Sequence, residues 1–201
     1  MKKPLPFCFI IWGYSNSGKD TTYSLINKYL PTENIKLSQP CKDTLERWLS
    51  LPTGSLNDKD FRSKHVVNTI TGELEDYTYT DLLVRAFDAW NLMVPGGWLT
   101  VGYVKDNLPN NTNLAFTDVR RHSELEMIKL HLAHQYNLVF IHLEGRGKAE
   151  TSDRELIKDD FSFIKDQYTL YNPPGVNEER LEHRVKTLLD YLAEDYNYQV
   201  A

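Results

Sequence analysis

Six apolar residues, Phe7-Cys8-Phe9-Ile10-Ile11-Trp12, run directly into Gly13-Tyr14-Ser15-Asn16-Ser17-Gly18-Lys19-Asp20-Thr21, and a helical pattern follows at once. A short, unbroken apolar run suits a strand buried on both faces of a parallel sheet. Thr22, Leu25, Ile26, Tyr29 and Leu30 then share one face of a helix, which Pro31 ends. A strand, a glycine-bounded loop and a helix in that order direct the chain toward an α/β architecture whose working edge lies at the carboxyl ends of the strands.

The loop has the spacing G-x-x-x-x-G-K. Backbone N–H groups curved around a phosphate tail need glycines at the bends, and the following helix points its positive end at the anion. Lys19 adds a mobile cation that can follow the charge of the β- and γ-phosphates. The candidate nucleotide contacts are Gly13, Asn16, Ser17, Gly18, Lys19, Asp20, Thr21 and Thr22. The position after the lysine usually supplies a hydroxyl to Mg²⁺, but Asp20 stands there with Thr21 next. Two alternatives stay open: Asp20 approaches the metal, or Thr21 takes the hydroxyl role.

Further strands are expected at 34–38, 113–119, 137–143 and 168–171. Helices are expected from about 41 to 51, 80 to 93 and 98 to 108, then behind Leu125, Ile128 and Leu132, and finally along Leu181, Val185, Leu188 and Leu192. Alternating strands and helices predict a three-layer sandwich: a mostly parallel five-stranded sheet with helices on both faces. The polar stretch 52–78 reads as an insertion outside the core, with a hairpin turn at Ile70-Thr71-Gly72-Glu73. The chain reads as a single domain, with an acceptor-binding region at about 38–110 and a lid at about 145–157.

Charge and cysteine content narrow the partners. A formal net charge of −5 gives no footprint for a nucleic-acid polymer. No stretch approaches the length of a membrane span, and the apolar start runs into the loop without a cleavage site. Two cysteines, Cys8 and Cys41, form neither a disulfide framework nor a metal spacing. These features fit a cytoplasmic protein. Its oligomeric state, homodimer included, stays open.

Several charged residues fall where such a sheet gathers ligands. Asp118 and Arg120 close the strand after residue 113, where an acid can face Mg²⁺ or an acceptor and an arginine can clamp a phosphate. Arg146, Lys148 and Arg154 lie in a charged segment that would bring positive charge over the moving phosphoryl group and exclude water. Lys42 and Arg85 are candidates for the acceptor's phosphate, and Arg121 reads as solvated. Trp90, Trp98 and Tyr103 fit the core better than a base-stacking site.

The run Gly-x-x-x-Ser-Gly-Lys-Asp-Thr-Thr resembles the start of the phage-type deoxynucleoside monophosphate kinases, within the P-loop nucleoside monophosphate kinase group. Leu37-Ser38-Gln39-Pro40-Cys41-Lys42-Asp43 is similar to that family's segment bordering the monophosphate site. Thr117-Asp118-Val119-Arg120 with Glu124 and Met127 resembles its Asp-x-Arg strand end, and Ser152-Asp153-Arg154-Glu155 its lid motif. Asn172 falls where the family's chain passes the nucleotide base. The resemblance implies the P-loop NTPase fold, ATP as donor, Mg²⁺, and transfer to a (deoxy)nucleoside monophosphate in the cytoplasm, a host's if the chain is phage-encoded. Its implied catalytic set is Lys19, Arg120, Arg146 and Arg154. Two other classes stay open: a kinase of dephospho-coenzyme A or phosphomevalonate type, and a non-catalytic nucleotide-binding regulator.

Overall fold

The structure, a computed structural model, describes residues 4–68, 70–93, 108, 111–147 and 164–198. Strand β1 (Phe7–Trp12) is buried along its whole length, as its apolar run requires. It pairs in parallel with β5 (Asn113–Phe116) on one side and β6 (Asn137–Glu144) on the other. β2 (Thr32–Ile35) lies outside β5 and β7 (Asp166–Tyr171) outside β6, both parallel, giving the order β2-β5-β1-β6-β7.

Alternate residues of β1 serve opposite layers. Phe7, Phe9 and Ile11 pack with Leu25 and Ile26 of α1 (Lys19–Tyr29) and with Leu181, Val185 and Leu188 of the last helix, Glu178–Tyr196. Cys8, Ile10 and Trp12 face the other way, against Leu125, Ile128 and Leu132 of a helix at His122–Leu132. The result is the three-layer α/β sandwich expected from the sequence, with helices on both faces of a parallel five-stranded sheet.

The stretch between β2 and β5 builds a smaller layer of its own. It contains α2 (Gln39–Trp48), a 3-10 turn at Ser55–Asn57, α3 (Lys59–Arg62), the antiparallel pair β3 (His65–Val67) and β4 (Leu74–Thr78), and α4 (Tyr79–Met93). The helices at His122–Leu132 and Glu178–Tyr196 are therefore α5 and α6. Cys41, Leu45, Leu56, Val66, Tyr79 and Leu83 form a third apolar cluster here, so residues 52–78 carry a core rather than lying wholly outside one. Glu46 is buried beneath it and spends both oxygens on backbone, accepting from Gly54 N at 2.8 Å and Leu56 N at 2.7 Å. The hairpin turn falls where expected, with Gly72 at φ 73° and Gly72 N donating to Asn68 O.

Several boundaries differ from the sequence reading. β2 covers 32–35 and not 34–38, because Asn27 Oδ1 takes Thr32 N and starts the strand early. β5 ends at Phe116, whose partner Ile35 is the last residue of β2. Pro40 lies inside the first turn of α2, where a missing N–H costs nothing. The helix expected at 98–108 lies outside the described residues except for Leu108, which packs against the second cluster. Among the described residues no helix is long and apolar enough to cross a membrane.

Candidate functional site

The loop Gly13–Gly18 leaves the carboxyl end of the central strand and delivers the chain into α1, as its sequence pattern demands. Asn16 and Gly18 both take positive φ, 61° and 101°. Close packing explains the glycines. A Cβ on Gly13 would stand 2.6 Å from Ser17 Oγ and 3.1 Å from Leu143 O; one on Gly18 would stand 2.6 Å from Asn172 Nδ2. The start of α1 has no side-chain cap, so its first-turn amides are left to a ligand. Ser17 Oγ is buried without a hydrogen-bond partner among the described residues. An orphan hydroxyl inside a curl of backbone fits a phosphate oxygen.

Lys19 Nζ donates to Gly13 O at 2.6 Å and Tyr14 O at 2.8 Å, so the ammonium spans the mouth of the loop. Asp20, on the exposed first turn of α1, pairs with Lys36 Nζ at 2.8 Å. Burial pushes its carboxyl upward, but the hydrogen bond and charge of Lys36, with Lys19 behind, outweigh that and hold it below the ordinary Asp value. Thr21 is exposed and Thr22 buried. Asp20 and the neighbouring Thr117 offer hard oxygens suited to Mg²⁺. Among the described residues no group of three or more His, Cys, Asp or Glu could hold a metal, so water or phosphate oxygens would complete its shell.

The other expected residues divide. Asp118 does not point a bare carboxylate at the loop: Oδ1 accepts from Leu37 N at 3.0 Å and Oδ2 from Ser38 N at 2.9 Å, which fixes the turn from β2 into α2. Asn172 is buried, and its Nδ2 donates to Ser17 O at 2.8 Å while its backbone N–H donates to Glu144 O. It therefore shapes the phosphate loop from beneath instead of reaching toward a base. Arg85 stands on the exposed side of α4 over the Tyr77 ring, 4.6 Å from its centroid. Arg120 is exposed at the edge where β5 ends, and its backbone N–H donates to Glu124 Oε2. Arg121, read as solvated, instead forms an ion pair with Asp88 of α4.

Arg146 stands between two glycines that pack closely at this end of the sheet. Gly145 packs on Pro173 and Gly147 on the loop itself, where an added Cβ would meet Ser15 O at 2.5 Å and Ser17 N at 3.2 Å. Arg154, Lys148, Trp98 and Tyr103 lie outside the described residues, and so does the greater part of the lid at 145–157.

Lys42, expected from the sequence to face an acceptor, lies in a cationic group. Burial and the nearby Arg62 guanidinium lower its pKa, with Lys36 adding to the effect and Asp118 and Glu46 opposing it. Lys59, one turn before Arg62 on α3, reaches the loop with Nζ 3.4 Å from Asn16 Oδ1. Lys36, Lys59, Arg62 and Thr117 were not singled out from sequence. Lys36 and Thr117 close strands at the ligand edge, a signal that strand ends alone provide. Lys59 and Arg62 lay hidden in a stretch whose polarity concealed its fold.

A scan against protein-family models finds no match, and a search of curated proteins finds none either. Among solved structures, a gluconokinase from Sinorhizobium meliloti 1021 is similar at 13% identity and TM-score 0.48, over 96% of this chain and 97% of that one. A shikimate kinase from Acinetobacter baumannii in complex with shikimate is similar at 12% identity and TM-score 0.44, over 95% and 94%. An APS kinase from Mycobacterium tuberculosis is similar at 10% identity and TM-score 0.40, over 94% and 99%. The architecture described above rests on the strand order and the loop.

Proposed function

We propose that this chain is a kinase that transfers the terminal phosphate of ATP to a (deoxy)nucleoside monophosphate. The observation that carries the reading is the uncapped, glycine-bounded cradle at the start of α1, spanned by Lys19 and enclosing a Ser17 hydroxyl that has no hydrogen-bond partner among the described residues. Backbone amides, a helix dipole and an ammonium in that arrangement suit a polyphosphate tail.

A second pole of positive charge supports an anionic acceptor. Lys42 is disfavoured as a cation by burial and by Arg62. The acids nearest to it are committed elsewhere, Glu46 to Gly54 and Leu56 and Asp118 to Leu37 and Ser38. Lys42 Nζ donates to the neutral Asn57 Oδ1 at 3.1 Å, and an incoming phosphate would add the negative charge that favours its ammonium form. The resemblance over residues 37–43 and 117–120 names the nucleotide monophosphate as that anion, and the deoxy form is the finer part of this reading.

Transfer requires little covalent work from the protein. An acceptor phosphate oxygen attacks the γ-phosphorus in line, and the bond to the β–γ bridging oxygen breaks. Lys19 holds the donor, Lys42 and Arg62 hold the acceptor, and Arg146 enters beside the loop on the Gly145–Gly147 turn. Mg²⁺ bound with ATP would neutralise charge on the β- and γ-phosphates. The arginine of the lid at 154 is assigned the same task in this proposal.

An acceptor panel tests the reading. ADP release is measured with ATP and each ribose and deoxyribose monophosphate, with dephospho-coenzyme A, phosphomevalonate, gluconate and shikimate as contrasts. Phosphate should move onto nucleoside monophosphates. Turnover confined to a contrast compound sinks the substrate assignment, and nucleotide binding with no acceptor-dependent release sinks the enzyme.

A further inference from the structure

Asp20 occupies the place where a loop of this kind ordinarily presents a neutral hydroxyl to a phosphate-bound cation. A bare carboxylate there would repel the triphosphate it helps to bind. Lys36 answers that difficulty. From the residue just beyond β2, its Nζ donates to Asp20 Oδ1 at 2.8 Å and also to Thr117 Oγ1. Thr117 is 2% exposed, and its hydroxyl lies 3.4 Å from both Asp20 Oδ1 and Asn34 Oδ1. The ends of β2 and β5 and the start of α1 thus meet at the Lys36 ammonium.

An ammonium and a hard divalent ion seek the same surroundings: closely spaced oxygens bearing negative charge. They cannot share one carboxylate oxygen without strong mutual repulsion. We propose that Lys36 is a tethered cation that holds the metal position of the phosphate loop, so that the loop takes a divalent ion only in the company of a nucleotide, when the ammonium is displaced. This rests on the loop being a nucleotide site. Lys36 is a positioning residue in this scheme. It keeps Asp20 neutralised and oriented while the loop is empty, and it yields when phosphate oxygens help to complete the metal's shell.

The scheme separates Lys36 from a simple strut between β2 and α1. A strut affects stability; a tethered cation also lowers metal affinity. Mn²⁺ binding to the nucleotide-free protein, followed by the loss of the free-ion EPR signal, makes the distinction. Lys36→Met should bind Mn²⁺ about tenfold or more tightly than wild type, because a unit charge beside the ion has been removed. Lys36→Arg should stay close to wild type. Lys36→Met combined with Asp20→Asn should lose the gain. Unchanged Mn²⁺ affinity in Lys36→Met, or a gain that survives Asp20→Asn, overturns the proposal.

A second measurement needs no variant and stands if Lys36→Met does not fold. Lysine acetylation of wild type, quantified by mass spectrometry, should modify Lys36 slowly in the free protein and faster with saturating Mn²⁺ and ADP. Equal or slower modification with the nucleotide overturns the proposal. Binding of a fluorescent ATP analogue to wild type is measured alongside. Its absence removes the nucleotide reading itself, whereas binding with unaltered Lys36 reactivity removes the tethered cation alone.

Discussion

At the scale of single residues, the site is governed by what backbone can approach backbone. Lys19 is tied to Gly13 O and Tyr14 O, both on the loop it serves. Its stem packs at a helix start and not in a core, so Lys19→Met should leave the circular dichroism spectrum and melting behaviour near wild type. It should cut turnover by about 100-fold or more, the usual scale for losing one charge-stabilising group. Gly147 is a different case. Its φ of 95° and its approach to Ser15 O leave no room for a methyl group. Gly147→Ala should weaken ATP binding by displacing the loop, and lower stability by about 1–3 kcal/mol from backbone strain; titration of nucleotide binding and denaturant melts check both. The loop glycines were readable because their spacing from Lys19 matches what a backbone cradle for a phosphate requires. Gly147 was not, because its partner lies more than a hundred residues back in the chain and only the parallel register of β6 with β1 brings them together.

At the scale of elements, strand interiors were legible and strand ends were not. The apolar runs of β1 and β6 identify them, but the sequence carries Asn113–Val119 as one strand. Pairing stops at Phe116 because β2 ends opposite it at Ile35. The next two residues, Thr117 and Asp118, turn to side-chain chemistry with Lys36, Leu37 and Ser38. The start of α5 shows a related economy. Glu124 is 4% exposed, and one of its oxygens accepts from the backbone N–H groups of Arg120 and Arg121. Burial pushes its carboxyl from 4.5 up to about 7, against the pull of those two amides. Because the folded value lies above the unfolded one, the native state keeps a proton that the unfolded chain has lost. The stability that Glu124 contributes should therefore be fully present below pH 4.5 and drain away as the pH rises toward about 7. Glu124→Gln keeps an acceptor for both amides without the charge. Its stability should be flat across that window and exceed wild type at higher pH by roughly 1–3 kcal/mol, measured by urea melts at several pH values.

At the scale of the whole molecule, two cores divide the labour. The parallel sheet with its flanking helices carries the Gly13–Gly18 loop, while the smaller layer around the third cluster carries Lys42, Lys59 and Arg62. The α/β plan was legible from alternating patterns. The smaller core was legible only in its two longer helices, because the pieces between them, which supply Leu56 and Val66, are too short and sparse in apolar residues to show a period. Leu56 is 1% exposed at its centre. Leu56→Ala should open that layer by about 2–4 kcal/mol, as expected for a buried leucine truncated to alanine. It should raise the acceptor's KM more than that of ATP, and hydrogen exchange should show lost protection over 39–93 with β1, β5 and β6 still protected.

Each of those two layers encloses one cysteine among its described residues. Cys8 sits in the sheet and Cys41 in the smaller layer, both fully shielded from water. Burial raises both thiols, Cys41 to about 12 and Cys8 further, so neither is a nucleophile while its surroundings stay shut. Alkylation rates at the two sites are thus independent clocks on two different doors. In Leu56→Ala the Cys41 clock should quicken by about two orders of magnitude while the Cys8 clock keeps its pace.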